Sequence, residues 1–135
     1  MMTSRLRGFG RGDSGASMVE FAIVLPLLVM FAGGIVDLGR AYKLYNNLAA
    51  AVRDGARYGA SLQPPVPGQI ITRVNEVFAS SAGSSRPAPN ATVTLGGEQV
   101  TVTVAGYAYD PLTPFIPTQG LNFSVSATFR REDVP

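Results

Sequence analysis

The apolar positions of this chain change their period twice along its length. Phe21 to Val36 reads FAIVLPLLVMFAGGIV and holds no charged side chain. That run is about 16 residues, or roughly 24 Å as a helix, against a hydrocarbon core of about 30 Å. Including Ala16 to Val19 brings it to the usual ~20 residues and places Glu20 inside it. Beyond Val36 the apolar residues alternate at spacings of four and three: Leu38, Tyr42, Tyr45, Ala49, Val52 and Ala56. Arg40, Lys43, Arg53, Asp54 and Arg57 lie off that stripe. No proline stands between Pro26 and Pro64, so the pattern predicts one helix from about Ala16 to about Tyr58, apolar all round only in its first half. Gly55 and Gly59 form a G-x-x-x-G, a motif with meaning inside lipid; here, outside it, the glycines predict a helix end that frays.

Pro64, Pro65 and Pro67 predict a break and a hinge into a soluble domain. Gln69 to Ser81 then reads as a second, shorter helix with Ile70, Ile71, Val74, Val77 and Phe78 on its apolar face. Ala82 to Asn90 is loop by composition. The period next falls to two. Ala91–Leu95 and Glu98–Tyr107 flank Gly96-Gly97, a two-residue hairpin signal. A turn there pairs Val93 with Val100 and Ala91 with Val102, with Thr92, Thr101 and Thr103 on the other face. Asp110 to Gly120, with Pro111, Pro114 and Pro117, is a non-repetitive loop. Phe123, Val125, Ala127 and Phe129 alternate with Ser124, Ser126, Thr128 and Arg130, a third strand with one wet face. Three strands with one greasy face need a cover, and the second helix and the stripe on the first are the candidates. The expected class is α+β: a long N-terminal helix, membrane-spanning in its first half, plus a small domain of one short helix and a three-stranded antiparallel sheet. The domain limits that follow are a short basic segment over 1–15, the helix over 16–60 with its span from about 16 to 37, and an α+β domain over 61–135.

Composition fits this outline. The 135 residues allow one domain, and only 15% of them are charged, against about 25% in an ordinary soluble domain. The chain has no Cys, His or Trp. That excludes disulfides, the usual zinc sites and the Ser-His and Cys-His nucleophile systems. No two acids fall in a pattern that forces them into a cleft, so no catalytic, cofactor or metal residues are assigned. The net charge of +2 is scattered without a basic run, so nucleic acid is not expected; nor, with no catalytic constellation, is a small-molecule substrate. The sequons at Asn90 and Asn122 are of a kind that arises often by chance, and the tyrosines are expected at the sheet and the membrane boundary. A buried core helix is a poor account of Phe21–Val36, because the chain offers too little other apolar surface to wrap it. A cleaved signal peptide fits Arg5, Arg7 and Arg11 ahead of an apolar core, but Phe31 to Arg40 runs straight on in a helical pattern. Arg40, Lys43 and Arg53 follow the span as closely as the leader arginines precede it, so positive charge does not decide its orientation.

The most informative residues stand at the membrane entry. Gly15-Ala16-Ser17-Met18-Val19-Glu20-Phe21 leads into the apolar run after a short basic segment. An acid at the edge of a lipid-spanning helix is costly and marks a functional candidate, although a headgroup-level boundary residue has the same appearance. This Gly-x-x-x-x-Glu-Phe resembles the cleavage site of type IV prepilins. VEFAIVLPLLVMFAGGIVDLGRAY, continued by NNLAAAVRDGARYGA, is similar to the TadE-like pseudopilins of tight-adherence (Flp) pilus systems, over about residues 12 to 60. The rest resembles the family only in general, with a Val/Thr-rich hairpin and a last strand ending in Arg130-Arg131. The resemblance implies a non-enzymatic pseudopilin or minor pilin, the size of the soluble domain arguing against a bulk fibre subunit. Gly15 would be the last leader residue and Ala16 the first mature one. A prepilin peptidase would cut between them on the cytoplasmic face of a bacterial inner membrane, leaving the C-terminal domain in the periplasm. Glu20, beside Phe21, would pair with the new amine of a neighbouring subunit. The implied partners are the peptidase, other pilin or pseudopilin subunits, the assembly platform and inner-membrane lipid; after assembly the protein would reach the pilus and cell surface. The competing reading is an unprocessed, signal-anchored periplasmic domain that binds a partner protein.

Overall fold

The computed structural model of the chain describes residues 13–113 and 121–131. The leader as far as Arg11, the loop prolines Pro114 and Pro117, and Glu132 and Asp133 lie outside the described residues. α1 (Asp13–Ser61) is one helix of 49 residues that passes through Pro26, roughly 74 Å in length. Its first half is bare. Met18, Phe21, Ile23, Phe31 and Ile35 are 61–78% exposed among the described residues. A helix apolar on every side needs an apolar surrounding, and among the described residues the protein supplies none.

The second half of α1 belongs to the head. Leu44, Leu48, Val52 and Ala56 are buried against Ile70, Val74 and Phe78 of α2 (Pro67–Ala82) and against the sheet. The sheet is antiparallel in the order β1 (Ala91–Gly96), β2 (Gln99–Ala108), β3 (Asn122–Arg130). Val100, Val102 and Val104 of the central strand are fully buried under the two helices. The α+β class and both expected covers are therefore present. On the far face, the hydroxyls of Thr101 and Thr128 lie 2.9 Å apart and those of Thr103 and Ser126 3.0 Å apart. Pro67 opens α2, where its missing N–H leaves no helical bond unmade. The Asn47 amide donates to the Ser81 carbonyl at 3.1 Å, satisfying an orphan acceptor of the α2 C-terminus. Asp54 accepts from Arg57 on its own helix (3.1 Å) and from Arg73 on α2 (2.7 Å).

Three expectations are corrected. The glycines of α1 do not fray: Gly55 and Gly59 are buried in an intact helix and let α2 come close. A Cβ at Gly55 would stand 2.3 Å from Val74 Cγ2, and one at Gly59 2.5 Å from Ile70 Cδ1. The G-x-x-x-G thus serves helix packing in the head, through close approach. The buried stripe is also rotated from the expected one. Ala49, Val52 and Ala56 are on it, but Leu38 and Tyr42 are 71% and 68% exposed, while Asp37, Leu44 and Leu48 are buried. The hairpin register is offset by two. Leu95 pairs with Val100 and Val93 with Val102, around a turn at Gly97-Glu98. Gly97 takes φ +53, which suits the first central position of a type II′ turn. A shift of two keeps every side chain on its face, so the alternation alone did not separate the two registers.

A test of the glycine contact follows. Gly55→Ala gains up to about 1 kcal/mol of helix propensity but meets Val74, and overpacking costs about 1–3 kcal/mol. We expect the single variant to unfold at lower temperature than the parent, followed by circular dichroism. In a Val74→Ala background the same change should raise the melting temperature. Equal effects in both backgrounds would remove the close contact.

Candidate functional site

Two places on α1 gather chemistry. At its start, Gly15, Ala16, Glu20 and Phe21 occupy the first turns, all exposed. They share one stretch of helix and are not enclosed in a pocket. A Cβ built on Gly15 would meet nothing within 4 Å among the described residues, so none of them requires a glycine here. The Gly15–Ala16 bond lies in the first turn, where backbone N–H groups lack helical partners, so unwinding it breaks few hydrogen bonds. Glu20 has no ion pair among the described residues. The nearest cation along α1 after it, Arg40, is about 30 Å away. Ala16 and Glu20 are one turn apart and therefore on the same side of the helix.

The second place was not anticipated. Asp37, directly after the apolar run, has no exposed surface. One carboxylate oxygen accepts from Leu112 N–H at 2.7 Å and Tyr109 Oη–H at 3.3 Å; the other accepts from Thr113 N–H at 2.9 Å and from the Thr113 hydroxyl. Tyr109 Oη also lies 3.0 Å from the Asp37 carbonyl oxygen. All four partners of the side chain are donors, so the site takes a carboxylate. Burial first, and then the Asp37 charge, hold the Tyr109 phenol above its ordinary pKa and keep its proton in place. The clamp fastens the segment after β2 to the point where α1 enters the head.

A bulge aims Tyr109 at this acid. Val104 pairs with Val125, but Tyr107 pairs with Phe123, so β2 carries one extra residue around Ala105-Gly106. Gly106 adopts φ +68, the left-handed position of a glycine bulge, and its N–H donates to Ser124 Oγ at 3.2 Å. The extra residue reverses the alternation, turning Tyr107 and Tyr109 to the inner face that Val100, Val102 and Val104 share. Tyr107 packs edge-on to Phe78; Phe123 lies between Tyr45 and Tyr109. The signal was in the sequence: large apolar or aromatic side chains stand at 100, 102, 104 and then at 107 and 109, and a lone glycine interrupts the strand between them.

No group of three or more His, Cys, Asp or Glu gathers among the described residues. Residues 15–57 match the family model described as TadE-like protein. No curated protein and no solved structure matches the chain.

Proposed function

Proceeding from a helix that is TadE-like over residues 15–57, and so from a Tad pilus-related chain of a generally non-enzymatic family, we propose that this protein is a pseudopilin or minor pilin. In this reading a prepilin peptidase cuts between Gly15 and Ala16, and the mature chain is assembled through α1. The observation that supports it most is the state of Glu20: an exposed acid at the edge of an apolar helix, with no cation within reach among the described residues. Cleavage at Ala16 creates an amine one turn from it, and a neighbouring helix in parallel brings a second such amine. Phe21 extends the same contact surface.

The single apolar N-terminal helix is consistent with one-pass anchoring in a pilus system. We place residues 1–15 in the cytoplasm as leader and the span at about 16–37 in the inner membrane. The 61–135 domain, with the half of α1 that covers it, stands in the periplasm. The working partners are then the peptidase, other pilin or pseudopilin subunits, the assembly platform and membrane lipid.

Two variants test the assignment. Gly15→Leu should block processing, because the peptidase must accept a residue with almost no side chain at that position. Glu20→Gln keeps shape and removes charge, so processing should continue while sheared surface pili fall by at least about tenfold, since losing one partner strands the other. Immunoblots for processing and for sheared pili read both. Normal pili from Glu20→Gln would remove its assembly role. An unprocessed anchor would show no effect of either change.

A further inference from the structure

Arg40 and Lys43 project from α1 on the side away from Leu38 and Tyr42, and Arg86, in the loop after α2, approaches the same cleft. Leu44, Asn47 and Ala82 complete its wall, enclosing about 170 Å3. The Tyr107 hydroxyl donates to the Pro87 carbonyl at 2.9 Å and fixes the loop that carries Arg86. None of the three cations has an ion pair or side-chain hydrogen bond among the described residues. The acid on the adjoining turn, Asp37, is already engaged by its four donors.

The height of the cleft is informative. Arg40 and Lys43 stand about 6 and 10 Å beyond Val36 along the axis. With the span ending at about residue 37, Arg40 stands in the headgroup layer and Lys43, on its flexible stem, reaches back to it. The exposed Leu38 and Tyr42 share that level, as interfacial side chains do. Three cations from two elements face one cleft at headgroup depth, and none has an acid paired with it among the described residues, so the cleft favours an anion. We propose that this cleft binds the phosphate of an anionic phospholipid headgroup, holding the head at a fixed height and rotation on the bilayer. The site rests on the reading of α1 as a membrane span, but not on its processing or orientation.

The test uses the full chain, purified in detergent with equimolar phosphatidylglycerol and phosphatidylcholine, with bound lipid counted by native mass spectrometry. The parent should retain phosphatidylglycerol over phosphatidylcholine by at least about tenfold. Arg40→Gln, Lys43→Gln and Arg86→Gln should each lower that preference about fivefold. Arg57→Gln, a cation paired with Asp54 far from the cleft, should leave it unchanged. Lys43 is exposed and outside the core, so its variant decides the matter should Arg86→Gln disturb the loop. Equal retention of the two lipids, or a triple variant that keeps the parent's preference, would overturn the site. So would retention of inorganic phosphate without any preference between lipids, or failure of the chain to hold lipid at all. All four leave the span standing, because detergent can cover the apolar helix in place of lipid; a full chain that stays monodisperse without any detergent would remove the span instead.

Discussion

A fragment beginning at Leu62 is expected to show no cooperative unfolding transition, although it contains α2 and all three strands. The reason is that α1 supplies one wall of the core. Leu44, Leu48 and Val52 are buried to 0–2% exposure, and fully burying such side chains contributes about 1.5–3 kcal/mol each. Three of them amount to about 5–9 kcal/mol, comparable to the whole stability of a small domain. Without α1, Val100, Val102 and Val104 also lose their cover. A fragment beginning at Asp37 keeps every one of these contacts and the acid clamp, and should be soluble with a single sharp transition. Thermal circular dichroism on the two fragments reads the difference. A cooperative transition at the same temperature in both would show that the head does not depend on α1.

Asp37→Asn should release the segment after β2 from α1. The carboxylate has four donors around it, and the two backbone N–H groups point at different oxygens. An amide presents one oxygen and one NH2, so either Leu112 or Thr113 faces a donor with a donor and is left unpaired. Stranding one of these partly buried donors corresponds to a factor of roughly five to ten in a local opening equilibrium. Amide hydrogen exchange at Leu112 and Thr113 should accelerate by that factor in Asp37→Asn, while Val100 and Val102 in the sheet centre change much less. Thr113→Val, which removes only the hydroxyl donor, should give a smaller effect at the same amides. Unchanged exchange in Asp37→Asn would mean that the clamp does not hold the segment.

The element order was legible because each element keeps a clean period. The uncharged run of Phe21–Val36, the spacing of Ile70, Val74 and Phe78, and the alternation of Val100 to Val104 each specify one structure. The face of α1 was harder to read. A search for bulky apolar residues favours Leu38 and Tyr42, whereas the real contact surface includes Gly55, Ala56 and Gly59, chosen for closeness rather than for hydrophobicity. Asp37 was invisible for a related reason. It occupies the buried stripe with Ala41, Leu44 and Leu48, and its burial is compensated only by donors from a segment 72–76 positions later. The bulge at Gly106 that brings Tyr109 to it is a parity change that alternation over a shorter window does not reveal. Gly15, Ala16, Glu20 and Phe21 stand out in sequence because no other part of the chain explains them. Among the described residues the fold leaves them exposed, and that exposure is compatible with the role toward other molecules proposed above.

Processing between Gly15 and Ala16 is read directly from the intact mass of the full chain expressed with and without a cognate prepilin peptidase. The account predicts a new species that begins at Ala16 and appears only with the peptidase. It also predicts that Gly15→Leu abolishes that species. A chain that keeps its leader in the presence of an active peptidase, or one that begins beyond Phe31, would contradict it.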